Sequence, residues 1–476
     1  MKKQAKAFVA AITLFIMLPF MMTPASANSA QQKWRGSDAT GAIIVDGDSP
    51  IVVEHENLTF DLSEFPIEYY PDEESFLAYA GKVSAEYTFY NPSDMTVTAT
   101  LAFPFGTLPD YGYSYNETAI TGRAVQINGQ VIDANIRHTL MSGGQFNLAG
   151  DLPRLCDDYL RDDFFSPETT VTLYTWRINK NDPDGYPRAA NIATDIESGY
   201  DGRYYYFKGQ SGGHSQKQSN SFRICDWVDG KDVIELYVIG EPLDSLPKWT
   251  FYRDGGVENG EEISGSVSFI GQESITMLDL ALSNYDEAKG ISKIDWYNAL
   301  YSEIKDQDIK YGDYPILSFY GHETQYNRGL MRWYQYEITL GPGERLVNKV
   351  TAPMYSSIDR SYTPPVYEYT YLLSPASTWK EFGELDITIN TPYYLTESSL
   401  DGFEKTEGGY ALSLDGLPDS ELIFTLSTED APNRDNNDSK GPLILLILFV
   451  LLPIALVVEA VKQIVKAVKN LLEKIF

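Results

Sequence analysis

Residues 83–105 read VSAEYTFYNPSDMTVTATLAFPF. Val83, Ala85, Tyr87 and Phe89 alternate with polar residues, and Asn91-Pro92-Ser93-Asp94 supplies a turn with Pro at its second position. Val97, Ala99, Leu101, Phe103 and Phe105 then alternate again. A period of two puts successive side chains on opposite faces, so the stretch predicts a β-hairpin with one buried face. Similar alternation recurs at 51–62, 124–131, 171–178, 233–239, 263–269, 334–340, 366–373, 385–389 and 422–426. Strands at this density with short Gly/Pro/Asp turns predict a mainly β chain of two or more β-sandwich domains.

One helix breaks the series. Ser292-x-x-Asp295 has the form of a capping box, and Ile294, Tyr297, Leu300, Tyr301 and Ile304 follow at helical spacing over 292–305. Such a helix packs across the edge or end of a sandwich, or serves as a lid or partner-binding element. Residues 179–220, polar and rich in Gly, Asp and Ser, read as a long excursion between strands.

The run Tyr87-x-Phe89-x-Asn91-Pro92 leading to Phe103-Pro104, with ITGRAVQINGQVI at 120–132, resembles the vault/inter-alpha-trypsin type domain. The resemblance covers roughly 50 residues and extends to ectodomains of uncharacterised membrane-anchored surface proteins of Gram-positive bacteria. It implies a folded β-sandwich surface module. In that family a von Willebrand type A domain often follows, with a metal site of the form Asp-x-Ser-x-Ser. Here the nearest string is Asp359-x-Ser361-x-Thr363, and Pro364-Pro365 forbids the helix that such a site opens.

Both ends carry an address. Lys2, Lys3 and Lys6 precede an apolar run from Ala7 to Met22, and Ala25-Ser26-Ala27 has the small-x-small pattern of a cleavage site, which predicts a signal peptide over 1–27. Residues 442–458 (PLILLILFVLLPIALVV) hold no charge and are long enough to cross a bilayer core. Lys462, Lys466, Lys469 and Lys474 outnumber Glu459 and Glu473 beyond it, the excess expected of a cytoplasmic flank. The tail itself repeats apolar residues at helical spacing, as an amphipathic helix on the inner leaflet does.

The predicted order is therefore a signal peptide (1–27), an N-terminal β-sandwich (28–150), a loop-rich β excursion (151–232) and a β-rich middle region (233–350) containing the helix. A C-terminal β-sandwich (351–429), a juxtamembrane linker (430–440), a transmembrane helix (441–458) and a cytoplasmic amphipathic helix (459–476) complete it. The expected location is the cell membrane, single-pass, with the N-terminus outside.

The formal charge is -30, and residues 28–440 alone carry 30 basic and 65 acidic groups. A field this negative argues against nucleic acid as a partner. The acidity keeps an external domain soluble, and it also draws divalent cations. The two cysteines, Cys156 and Cys225, both fall in the external part, where oxidising conditions allow a disulfide between them; two buried free thiols are the alternative. No phosphate loop of the Gly-x-x-x-x-Gly-Lys kind exists in the chain, so a nucleotide has no sequence support.

Catalytic and metal strings are incomplete. Gly209-x-Ser211-x-Gly213 matches a nucleophile elbow, but the polar residues 215–221 cannot form the helix behind it. Gly47-Asp48-Ser49 resembles the Ser block of a lipase/esterase family that also needs Asp-x-x-His, which no histidine here supplies. His55-Glu56 and His322-Glu323 begin like zinc-protease helices, yet Thr59 and Tyr326 stand where the second histidine belongs. Asp182-x-Asp184-Gly185 has the composition of a calcium loop, with Lys180 against the regular version, so Asp182 and Asp184 are the candidate calcium ligands of an irregular site. Tyr204-Tyr205-Tyr206 is either a sugar-stacking platform or a strand chosen for β-propensity. The reading that emerges is a non-catalytic, membrane-anchored surface binding or sensing module, with an envelope glycan or another membrane protein as candidate partner. An extracytoplasmic carbohydrate-active hydrolase and an accessory subunit of a membrane complex are the alternatives.

Overall fold

In a computed structural model, the described residues are 33–34, 37–45, 49–65, 81–107, 124–141, 146–179, 191–197, 203–208, 215–218, 221–227, 231–252, 261–263, 266–287, 290–311, 316–317 and 330–434. They are mainly β, in several sheets with few helices. The expected signal peptide, transmembrane segment and tail lie outside them. Among the described residues no helix is long and apolar enough to cross a membrane.

The stretch 83–105 does form two strands, Gly81–Tyr90 and Val97–Gly106, with Val83, Ala85, Tyr87, Phe89, Ala99, Leu101, Phe103 and Phe105 all buried. They are not a hairpin. Gly81–Tyr90 pairs with Val52–Asp61 and Arg345–Met354 in an eight-stranded sheet, while Val97–Gly106 pairs with Leu330–Leu340 and Ile43–Ile44 in a four-stranded one. The turn at 91–96 therefore carries the chain across the core from one sheet to the other. The turn after Leu340 does the same, so two arches stack strand on strand. Alternation specifies which side chains are buried and is silent on which strand supplies the hydrogen bonds, so both arrangements satisfy the same pattern.

Asn91, fully buried, joins the arches. Its Nδ2 donates to the carbonyls of Met95 (2.7 Å), Leu340 (3.1 Å) and Gly341 (3.0 Å), and its Oδ1 accepts from Ser93 N and Oγ.

The eight-stranded sheet packs on the four-stranded sheet and on a six-stranded sheet that includes Val366–Leu372 and Leu422–Ser427, through one core running from Phe60, Tyr87 and Ile387 to Leu101, Tyr334, Tyr371 and Phe424. Val52–Asp61 pairs in parallel with Phe382–Asn390. The segments expected as separate N- and C-terminal sandwiches thus share one sheet. The residues between them form a second body. Its exit strand Asn135–Leu140 and return strand Leu330–Leu340 are neighbours, so the insertion leaves the sandwich continuous.

In the second body a five-stranded sheet runs in the order Ser266–Thr276, Thr170–Asn179, Val233–Ile239, Tyr204–Phe207, Ile316–Leu317. Both of its faces are buried. Tyr174, Trp176, Tyr205, Phe207 and Leu236 face Phe251 of a second five-stranded sheet, and Val171, Tyr206, Tyr237 and Ile239 face helices. The excursion expected at 179–220 contains three strands, Asn191–Glu197, Tyr204–Phe207 and Ser215–Gln218. They are short and the first and last are poor in apolar residues, which hides the alternation. We name the helices α1 (Leu148–Asp151, one turn), α2 (Met277–Leu282) and α3 (Lys293–Tyr311). The expected single helix at 292–305 is α3, longer at its C-terminal end. α2 follows directly from a strand and starts with a full Thr276/Asp279 capping box.

Candidate functional site: the seam between the two bodies

α3 begins where the sequence placed it. Ser292 Oγ accepts from Asp295 N at 3.0 Å, the forward half of the capping box. The Asp295 carboxylate goes to another task. It receives Arg137 Nε at 3.0 and 3.2 Å, Arg137 Nη2 at 2.9 Å and the His138 backbone N–H at 2.9 Å, all from strand Asn135–Leu140 of the sandwich. Arg137 Nη1 donates to Asp157 (2.7 Å) and Gln335 (2.7 Å), and Nη2 also donates to the Cys156 carbonyl. The Asp295 side chain is 2% exposed and that of Arg137 10%. A charged pair this deep is tolerated only when the remaining donors are satisfied, and the forked guanidinium allows that.

The next turn of α3 repeats the device with neutral groups. Asn298 accepts from Leu160 N at 2.8 Å and donates to the Asp158 carbonyl at 3.0 Å. Arg154 donates to Asp306 further along at 2.7 Å. On the opposite side Trp296, fully buried, donates to the Ala281 carbonyl of α2 at 2.8 Å, and Tyr297, Leu300 and Ile304 pack into the second body. α3 thus touches both bodies: Asp295 bonds strand Asn135–Leu140 and Trp296 and Ala299 pack with Leu140 and Leu330 of the sandwich, while Tyr297, Leu300 and Ile304 pack into the second body.

Cys156 sits at this seam. Its thiol is unbonded here and donates to the Asp158 carbonyl at 3.0 Å, and burial pushes its pKa up. It is a protonated thiol at neutral pH, a poor nucleophile. Cys225 lies on strand Ser221–Trp227 opposite Ala193, and its side chain is outside the described residues.

Two further polar groupings belong to the sandwich. Glu56 lies 1% exposed in the core, facing the Tyr87 hydroxyl, and Tyr87 in turn accepts from Ala42 N at 2.9 Å. Burial raises Glu56 to about 7, with the Tyr87 hydrogen bond pulling the other way. His55, the neighbouring residue, points to the opposite face, where its Nε2 meets Asp386 at 2.8 Å and Ser413 donates to the same carboxylate at 2.5 Å. The Ser413 and His55 contacts hold Asp386 below its usual range. The serine here touches the carboxylate and not the imidazole, so the trio is a cross-strand ladder and not a nucleophile with its base.

Of the strings singled out in the sequence, Asp182, Asp184, Gly209-x-Ser211-x-Gly213, Gly47-Asp48 and His322-Glu323 lie outside the described residues. His55-Glu56 is on a strand, which separates the two side chains across the sheet. Tyr205 and Tyr206 are buried in the second body, so they are core residues and not a sugar platform. Among the described residues no three His, Cys, Asp or Glu gather as a metal-binding group. The seam was not anticipated. Asp295 was found as a cap, but the Arg137 that claims its carboxylate lies 158 residues away and carries no local signal.

No protein-family model and no curated protein matches the chain. A solved structure titled "Crystal structure of a putative nutrient binding protein", from Legionella pneumophila, is similar at 11% identity over 83% of this chain and 72% of that one, with a TM-score of 0.29. A likeness at that score carries no argument about this chain's fold or function.

Proposed function

We propose that the chain is a membrane-anchored, extracytoplasmic binding or sensing module whose two bodies are held at a fixed angle by α3. The observation that carries this reading is how the charged side chains at the seam are used. Arg137, Asp295, Asn298 and Arg154 are saturated by structural partners, and the one thiol there is protonated, an arrangement suited to presenting a surface more than to turning over a substrate. The signal sequence at 1–27 and the apolar segment 441–458 support the address, and the net charge of the external part supports its solubility beside a membrane. Calcium at Asp182 and Asp184 and an envelope glycan or membrane-protein partner belong to the same reading.

Fractionation of cells expressing the full chain tests the address: the protein should pellet with membranes, and external protease should remove the bulk of it. Recovery in the soluble cytoplasm defeats the reading. A melt of the purified full-length protein in calcium and then in chelator tests the ion, because a ligand of the folded state raises the midpoint. An Asp182→Asn/Asp184→Asn variant should lose the shift, and a wild-type protein without any shift removes calcium from the proposal. The same melt against envelope glycans tests the partner.

A further inference from the structure

Residues 37–45 form a strap across two sheets. Asp38–Thr40 pairs in parallel with Val366–Leu372 of the six-stranded sheet, and after Gly41-Ala42 the strand Ile43–Ile44 pairs with Val97–Gly106 of the four-stranded one. Ala39, Thr40, Ala42 and Ile43 are completely buried. Three side chains converge on the crossing. A methyl group on Gly41 would stand 2.9 Å from the Tyr87 hydroxyl, 3.4 Å from the Tyr371 hydroxyl and 3.9 Å from Glu56 Oε1. The Tyr87 hydroxyl accepts from Ala42 N at 2.9 Å, and Trp379 Nε1 donates to the Ala42 carbonyl at 2.9 Å. The cluster therefore grips the strap at the point where it belongs to neither sheet.

The titratable groups that face Glu56 are Tyr87, from Gly81–Tyr90, and Tyr371, from Val366–Leu372, and at the crossing the strap supplies Gly41 and Ala42. None of these brings a positive charge. The hydroxyls orient the carboxyl without neutralising it, so the charged form is penalised for as long as the strap covers it, and burial keeps the proton on up to about 7. With the strap lifted, water reaches the carboxyl and its pKa returns toward the ordinary 4.5. Which element yields is set by the ladders. Glu56, Tyr87 and Tyr371 sit on interior strands of ten, ten and seven residues, whereas the strap contributes strands of three and two residues at the margins of their sheets. Local opening favours the element with the fewest backbone bonds to break.

We propose that the strap 37–45 is a pH-operated latch, closed while Glu56 is protonated and opening locally, with the rest of the sandwich intact, as Glu56 ionises. The closed form holds the proton more tightly than the open one. Closure is therefore strongest below about pH 4.5, weakens as pH rises and is constant again above about 7, and the opening equilibrium moves toward the open form by about 300-fold across that range. Opening unpairs the strand edges at 370–372 and 101–102. The latch does not rest on membrane attachment, calcium or glycans, and it differs from a general loss of stability in acting on one segment.

The test is hydrogen exchange of the purified full-length protein, followed by mass spectrometry from pH 5 to 8 and corrected for the intrinsic pH dependence of amide exchange. Peptides covering 37–45 should lose protection by about 70-fold over that range and exchange faster than 81–90 at every pH. Glu56→Gln should hold the strap at its acid protection throughout. Tyr87→Phe, which serves if Glu56→Gln does not fold, takes the acceptor from Ala42 N and should lower strap protection about fivefold at each pH. Strap protection that does not change with pH, an unaltered pH dependence in Glu56→Gln or unaltered protection in Tyr87→Phe would overturn the proposal. So would equal protection of 37–45 and 81–90 at every pH, because both segments would then open only when the whole protein unfolds. Loss of membrane attachment or of a calcium shift, with the strap's pH response intact, counts only against the preceding reading.

Discussion

Asn91 Nδ2 donates to the carbonyl of Leu340 at 3.1 Å across 249 residues of sequence, and so ties the turn that leaves the eight-stranded sheet to the turn that returns to it. The same amide reaches Met95 and Gly341, and Asn91 N and O pair with Glu344 O and Gly343 N. Replacing this side chain takes a donor from three carbonyls, of which Met95 O keeps Ser93 Oγ and Gly341 O keeps Glu344 N. Asn91→Ala should therefore lower stability by about 3 kcal/mol, and Asn91→Asp, which loses the donor but keeps the Ser93 contacts, by a similar amount. Urea denaturation measures both. A loss below about 1 kcal/mol would show that the arches do not depend on the amide.

Glu56 makes stability depend on pH in an uncommon direction for a carboxylate. Its folded pKa of about 7 lies above the ordinary 4.5, so between these values the folded state binds more protons than the unfolded one. Stability from this group is full below about pH 4.5, declines as pH rises, and levels off above 7, a difference of about 3 kcal/mol. Glu56→Gln should flatten that decline and make the protein more stable than wild type at pH 8. Equal slopes between pH 5 and 7 for the two proteins would refute the assignment.

The seam predicts a characteristic double-mutant cycle. Asp295→Ala leaves the deeply placed Arg137 with only the exposed Asp157 as counterion and should cost about 3 to 5 kcal/mol. Arg137→Met together with Asp295→Leu removes both charges and should recover most of that loss. The sum of the single effects should exceed the double effect by more than 1 kcal/mol in chemical denaturation. Additive losses would mean that the pair is not coupled.

The sequence by itself determined strand content and the identity of the inward faces. Gly81–Tyr90 is buried at every second residue, because each side chain's face depends only on its own position in an extended chain, whereas Val171 to Ile178 and Val233 to Ile239 are strands buried on both faces. The start of α3 was also readable, since a cap is a contact between residues three apart. Its C-terminal extension and α2 were not, the latter lying at the end of a strand whose pattern masks it.

What only the tertiary structure decided is pairing. Whether 81–90 bonds to 97–106 or to 345–354 depends on strands hundreds of residues apart, and the two ends of the chain enter one sheet because Val52–Asp61 finds Phe382–Asn390. The same holds for chemistry. Asp295 reads locally as a cap, Arg332 as one more alternating residue that happens to be charged, and Glu56 as half of a failed metal motif. Each acquires its character from partners or burial supplied by distant strands: a carboxylate for Arg137, two backbone carbonyls for Arg332, an apolar core for Glu56. Local spacing carries the period of a strand, whereas the free energy of a charge depends on everything within a few ångströms of it, and that neighbourhood exists only in the folded chain.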